Sequence, residues 1–188
     1  MLKITGKILK KLALSKIFTL LEPGPVVMVT VAGKEKPNVL TISWTMVLDF
    51  TPRFAFMTGS WNHSYKALIK DRECVIAIPT AELIKTTVQI GSCSGKDIDK
   101  FKKFKLTPLP ALNVKAPLIK ECYANIECRI VDHVKEHNIF VLDAVNAWFD
   151  EKQKHPRFFH AIGDGRFVID GEVVNHRRIM AGKLPQGV

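Results

Sequence analysis

The sequence predicts a mainly β chain, a β-barrel of mostly antiparallel strands with helical insertions. Three observations carry this. Short β-branched, apolar runs recur from Val26 to Ile169, bounded by Gly, Pro, Asn and Asp. Helical spacing of apolar residues is concentrated between residues 62 and 104. Regular strand–helix alternation and a Gly-x-Gly-x-x-Gly turn are both missing, which argues against a doubly wound parallel sheet.

The first strand is Val26–Val31, entered through Pro23-Gly-Pro25. Gly33–Pro37 turns the chain, and Asn38–Met46 returns as its hairpin partner. Arg53–Met57 is a third strand, started after Pro52. Asn62 or Ser64 caps a helix reaching about Lys70, with Tyr65, Leu68 and Ile69 on one face. Cys74–Ile78 is a buried strand ended by Pro79. Thr80 begins a second helix in which Ile84 and Val88 repeat, with Leu83, Thr87 and Ile90 alongside. Asp97–Phe104 is a third, with a stripe of Ile98, Phe101 and Phe104 and with Asp97 and Asp99 at its positive end.

The clearest periodicity comes later. Cys122, Ala124, Ile126, Cys128 and Ile130 alternate with Glu121, Tyr123, Asn125, Glu127 and Arg129, the pattern of a strand with one buried face. Asn138–Phe149 is apolar on both faces, with Phe140, Leu142 and Trp148 on one and Ile139, Val141 and Val145 on the other. Such a strand needs cover from a helix or a second subunit. Gly163-Asp-Gly165 is a turn before a last strand, Arg166–Ile169.

A chain of 188 residues is expected to form one domain, with residues 1–20 as an N-terminal extension and 182–188 as a tail. The net charge of +10 arises from 28 basic and 18 acidic residues. A lysine-rich solvated surface, an anionic ligand and nucleic acid all suit that balance. The basic residues are scattered, dense only at 7–16 and 96–105, and no zinc-finger or RNA-binding motif accompanies them, so nucleic acid is disfavoured. The four cysteines form no Cys-x-x-Cys pair, which argues against a zinc site. Cys122 and Cys128 fall on one predicted strand face as buried thiols. A reduced, cytoplasmic protein is expected. Lysines interrupt the first 16 residues, and no run nears the roughly 20 apolar residues of a membrane span.

Three segments hold the candidate chemistry. Ser60–Ser64 lies between a strand and a helix, where backbone N–H groups attract anions. Ser60, Asn62, His63 and Ser64 add donors there, although plain helix capping accounts for the same composition. Gly91–Gly95 is a second corner: Gly91 permits close approach, Ser92 and Ser94 flank Cys93, and Lys96 and Lys100 follow. A helix-to-helix turn explains it equally. Thr41 and Ser43 share one strand face and Ile42 and Trp44 the other. The pair suits the edge of a heterocycle and the indole its plane, or else a solvent-facing pair and a core Trp. His160, beside Phe158 and Phe159, is a further candidate for approaching a substrate, and His133 and His137 fall in a polar hairpin loop.

Taken together, Leu21–Pro25, Lys36–Trp44, Ser60–Ser64, Glu73–Pro79, Asp97–Phe101, Ala116–Leu118 and Glu121–Cys128 resemble the flavin reductase-like FMN-binding split-barrel family, and within it the flavoredoxin-type branch. The resemblance runs from about residue 21 to about residue 170. It implies an FMN-binding split β-barrel that forms a homodimer with flavin near the subunit interface. It implies that Thr41, Ser43 and Trp44 line the flavin ring, that Ser60, Asn62, His63 and Ser64 hold the ribityl chain and phosphate, and that Gly91, Ser92, Cys93 and Lys100 close over the other side. It further implies an oxidoreductase passing electrons from NAD(P)H or a redox-protein donor through FMN, with His160 the one candidate near the nicotinamide. The competing function is a non-catalytic basic module for nucleic acid or another acidic partner.

Overall fold

The computed structural model describes residues 2–4, 7–21 and 24–184. Parts of the N-terminal extension, of the Pro23–Pro25 entrance and of the 182–188 tail lie outside them. Thirteen strands are present among the described residues. β1 is Leu2–Ile4, β2 Lys7–Lys11, β3 Val27–Val31, β4 Asn38–Ile42, β5 Thr45–Val47, β6 Arg53–Met57 and β7 Glu73–Ile78. After them come β8 Pro108–Leu109, β9 Leu118–Ile119, β10 Ala124–Val134, β11 Ile139–Asp150, β12 Phe159–Ala161 and β13 Phe167–Ile169. The helices are short: α1 Phe18–Leu21, α2 Tyr65–Asp71, α3 Ile84–Gly91, α4 Lys100–Lys103 and α5 Arg177–Met180.

All pairings are antiparallel, and the central path runs β5-β6-β11-β10-β7-β3-β4. The two ends of that path, β4 and β5, are consecutive in sequence and separated only by Ser43 and Trp44. Two residues span at most about 7 Å, so the sheet has to curl until its ends meet. The product is a split barrel. β11 is long enough to serve twice: Ile139–Asp143 pairs with β6, and Trp148–Asp150 pairs with β2. The expected single strand Asn38–Met46 is therefore two strands with a corner between them.

The barrel interior is filled by alternate residues of the strands. Val27 and Val29, Ile76 and Ile78, Ala124 and Ile126, and Phe140 and Leu142 all face one core. Phe140 stacks on Phe56 at 5.5 Å and on the His133 ring at 4.3 Å. Thus Phe140 and Leu142 are covered by their own barrel, whereas Trp148, expected on the same face, lies past a bulge at Val145 and packs with Leu9, Val75 and Leu118. The opposite face is the one left for other cover: Ile139 and Val141 are half-buried and Val145 is exposed. β7 is buried on both sides, its other face packing Ala77 with Met28, Ile90 and Phe101.

Several sequence expectations shift. The predicted strand from Glu121 begins at Ala124, so Cys122 packs with Met28 and Ile119 while Cys128 points into the barrel. There Cys128 opposes Cys74, and burial pushes its thiol pKa up. The second helix opens with a 3-10 turn at Ala81–Leu83, and its buried residues are Thr87 and Ile90, whereas Val88 is exposed. In α2, Leu68 is buried but Ile69 is exposed. The third helix shortens to Lys100–Lys103, with Asp99 as its N-cap accepting from the Lys102 N–H. Asp97 instead sits in the preceding turn.

The largest correction concerns the face of Asn125 and Glu127. Both are fully buried. The irregular stretch 107–120 lies over them, and side chains satisfy its backbone. Glu121 accepts from Thr107 N–H, Glu127 from Leu112 and Asn113 N–H, Glu73 from Lys115 N–H, and Asn125 both accepts from and donates to Ile119. Thr30 donates to the Pro117 carbonyl at 2.6 Å. A buried backbone without such partners would cost about 1–3 kcal/mol per group. Alternating polarity thus marks a second buried surface here, polar because what it covers is backbone.

Glu127 receives only donors, since Asn146 Nδ2 and Trp148 Nε1 also point at it. Glu127→Gln keeps the shape but turns an NH2 group toward N–H groups. It should lower the unfolding free energy by about 1–3 kcal/mol, measured by urea denaturation; a neutral outcome would show that the carboxylate's acceptor role is dispensable.

Candidate anion-binding cleft

One cleft gathers three segments distant in sequence: the start of β4, the turn from β6 into α2, and the turn from α3 into α4. It is lined by Asn38, Leu40, Trp61, Asn62, His63, Ser64, Cys93, Ser94, Gly95 and Lys100, and has a cavity volume of about 80 Å3. Asn38 is the joint. Its Nδ2 donates to Ser64 Oγ at 2.8 Å, tying β4 to the start of α2. On its other side, a Cβ added to Gly95 would lie 2.3 Å from Asn38 Oδ1, so only glycine lets the α3–α4 turn come this close.

Ser64 is buried, yet its hydroxyl does not cap α2; its backbone is already helical, and the hydroxyl faces Asn38. Asn62 is steadied by a 2.9 Å bond from its Nδ2 to Thr58 Oγ1. His63 is exposed. The indole of Trp61 lies over Gly59, where a Cβ would come within 2.1 Å of the ring.

Lys100 supplies the charge. It is only 4% exposed, and its Nζ donates to the Ile90 carbonyl at 2.8 Å. Burial holds its pKa below the ordinary 10.5 of lysine, and the neighbouring Cys93 partly offsets that. A buried ammonium with one neutral acceptor still has N–H groups to give. No carboxylate lines the cleft among the described residues. Amides, hydroxyls and an ammonium without an acid suit an anion.

The remaining expected site residues stand nearby or apart. Thr41 donates to the Thr87 carbonyl at 2.6 Å and packs against Gly91, clamping α3 to β4 beside the cleft. Ser92 turns back to the Val88 carbonyl. Ser60 is exposed and does not line the cleft. Ser43 and Trp44 form the β4–β5 corner, where Trp44 is 66% exposed and so is not a core residue. His160 sits on β12, its Nδ1 3.2 Å from the Gly24 carbonyl and its Nε2 2.6 Å from Asp170 Oδ1, outside the cleft. Sequence reasoning did not single out Asn38 or Trp61, and it named Gly95 as the end of the Gly91–Gly95 loop. The signal for Asn38 was its place at the head of a strand, where a polar residue has no reason to be buried unless it joins two elements.

The barrel defines a class of protein by its fold, the split barrels. Residues 20–175 match the flavin reductase like domain, and the chain belongs to that family. A protein of Archaeoglobus fulgidus is 41% identical over 114 residues, covering 59% of this chain and 64% of that protein. The chain thus matches just under two thirds of that relative's length. The protein YddH of Escherichia coli is 26% identical over 182 residues, covering 87% of this chain and 93% of that one. Among solved structures, an FMN-binding domain of a flavin reductases-like enzyme from Shewanella baltica superposes with a TM-score of 0.83 at 22% identity, over 90% of this chain and 97% of that one. The flavoredoxin of Desulfovibrio vulgaris (Miyazaki F) gives 0.76 at 22% identity, over 85% and 93%.

Gly95→Ala tests the joint. The added methyl must push Asn38 away and should cost about 1–3 kcal/mol, read as a lower thermal midpoint, with the Asn38–Ser64 bond lost in the variant's structure. Unchanged stability would show that the turn shifts freely.

Proposed function

We propose that the chain is an FMN-dependent oxidoreductase of the flavin reductase or flavoredoxin type, which accepts electrons from NAD(P)H or a redox-protein donor. The observation that carries this is the buried Lys100 converging with Asn62, His63 and Ser64 in a cleft without carboxylates. That donor set fits a phosphate, so the residues suit the coenzyme the family binds. Leu40 borders the cleft, and Ser43 and Trp44 lie three and four residues on, around the corner and at most roughly 10–14 Å away. A ligand with an anion at one end and a flat ring at the other, joined by a short polyol, matches that separation.

When bound, the isoalloxazine supplies the two-electron chemistry. The chain's own residues bind and orient. Lys100, Asn62, His63 and Ser64 hold the phosphate end, and Cys93 closes the wall beside Lys100. Thr41 keeps α3 seated against β4, and the exposed indole of Trp44 offers a plane to the ring. No side chain in the cleft is placed to act as a nucleophile with a base, and none is needed where the coenzyme carries the electrons.

The working unit in this reading is a homodimer in the cytoplasm, a compartment that the four free cysteines suit. The exposed row Trp44, Met46 and Leu48 and the outward face of Ile139, Val141 and Val145 supply apolar surface for a second copy.

The purified protein should be yellow, bleach anaerobically with NADH, NADPH or a reduced redox protein, and sediment at twice 21.2 kDa. Colourless protein that stays unchanged on adding FMN would end the proposal. Lys100→Met should weaken FMN binding at least about ten-fold, the size of one lost charge-assisted bond, in a fluorescence-quenching titration. The bound anion favours protonated Lys100. Affinity should therefore be complete below the lysine's depressed pKa and decline as pH rises through it, at a pH below the ordinary 10.5. Lys100→Met should flatten that decline; a wild-type profile flat to pH 10.5 would remove Lys100 from the phosphate.

A further inference from the structure

Beyond Asp170 the chain leaves the barrel. Every residue from 171 to 183 is exposed. Large apolar side chains are among them: Val173 is 92% exposed, Val174 67% and Ile179 82%, with Met180 beside them. The same arm is basic, with His176, Arg177, Arg178 and Lys183 against the single acid Glu172. A soluble domain rarely leaves so much apolar surface on one ordered segment without covering it.

A matching vacancy lies elsewhere on the same molecule. Leu21 and Gly24 on one side and Thr45–Phe50 on the other enclose a groove of about 410 Å3. Its walls are Leu21, Met46, Val47, Leu48 and Phe50, and among the described residues its one charged lining residue is Asp49. Thr45 Oγ1 is buried and lacks a hydrogen-bond partner. The groove is thus apolar, acidic at its rim and short of one polar partner, whereas the arm is apolar and basic.

The root of the arm is fastened at the groove itself. Asp170 Oδ1 meets His160 Nε2 at 2.6 Å, and His160 Nδ1 lies 3.2 Å from the carbonyl of Gly24, a groove residue. In its own copy the arm nevertheless contributes no residue to the lining of that groove and is exposed along its length. Residues 171–179 reach at most about 30 Å, so two copies meeting near their grooves can each hand the arm to the other. Such an exchange is self-complementary, as a two-fold dimer requires.

We propose that residues 173–180 of one copy lie in the groove between Leu21 and Phe50 of a second copy, so that the dimer is clasped by exchanged C-terminal arms. Ile179 and Met180 enter between Met46 and Leu48, and Arg178 faces Asp49. The partner's arm then walls the groove next to Trp44, and each copy completes the other's ring-side pocket. This rests on the dimer proposed above, but not on the identity of the coenzyme. The His160–Asp170 pair becomes a positioning element that aims the arm.

The test is a double variant, Leu48→Cys with Ile179→Cys, oxidised with diamide and run on a non-reducing gel, with linked peptides identified by mass spectrometry. Exchange predicts a covalent dimer joined 48 to 179. A 48–179 link within one chain, or no such link, overturns it. As a second measurement, a chain ending at Gly171 should keep its far-ultraviolet circular dichroism and dimerise at least ten-fold more weakly by sedimentation equilibrium; unchanged association also overturns the clasp. Yellow, monomeric full-length protein would refute the clasp and spare the coenzyme, while a colourless 48–179 dimer would do the reverse.

Discussion

Ser43 and Trp44 impose the constraint on which this molecule depends. They alone carry the chain from β4, at one end of the sheet path, to β5, at the other. So short a link forces the ends together, and a sheet whose ends meet must close around its own inner face. Val29, Ile76, Ile126 and Phe140 are thereby buried together. Closure also explains why Trp44 is exposed although flanked by strands. The corner leaves its indole outside the core.

Closing the barrel leaves the outside of β7, β10 and β11 to be covered, and two kinds of cover are used. Over β3 and β7, α3 and α4 bring Ile90 and Phe101, and the contact is apolar. Over β10 and β11 the cover is the irregular stretch 107–120, which brings unpaired backbone. Glu73, Asn125 and Glu127 answer it with acceptors, and Arg129 ties Glu73 to the Asn113 carbonyl. Burial of these carboxylates is sustained by the number of donors aimed at them. α4 is held against β4 by the apolar cover instead, where Phe101 packs with Met28, Val39 and Ile90.

The cleft is accordingly a by-product of packing as much as of chemistry. Asn38 and Gly95 touch because α4 is pressed onto β4, and Lys100 is buried because its stem fills the same contact. Its ammonium is thereby partly desolvated, which strengthens its electrostatic interactions. Lys96, Lys102, Lys103 and Lys105 of the same segment are exposed, beside Asp97 and Asp99.

Much of this was legible from residues alone. Alternation and β-branching placed β3, β6, β7, β10 and β11, and the segment order pointed to the split-barrel family, because those signals are local and have fixed periods. Short-range chemistry also marked the Ser60–Ser64 and Gly91–Lys100 turns. Only the tertiary structure decided that Asn125 and Glu127 are buried, since the segment covering them has no periodicity of its own. Only it placed the break at Ser43–Trp44, which depends on which strands end up neighbours, and only it brought Asn38, Ser64, Gly95 and Lys100 to one cleft. Sequence encodes which face of an element seeks cover; what supplies that cover is settled when distant segments compete for the same surface.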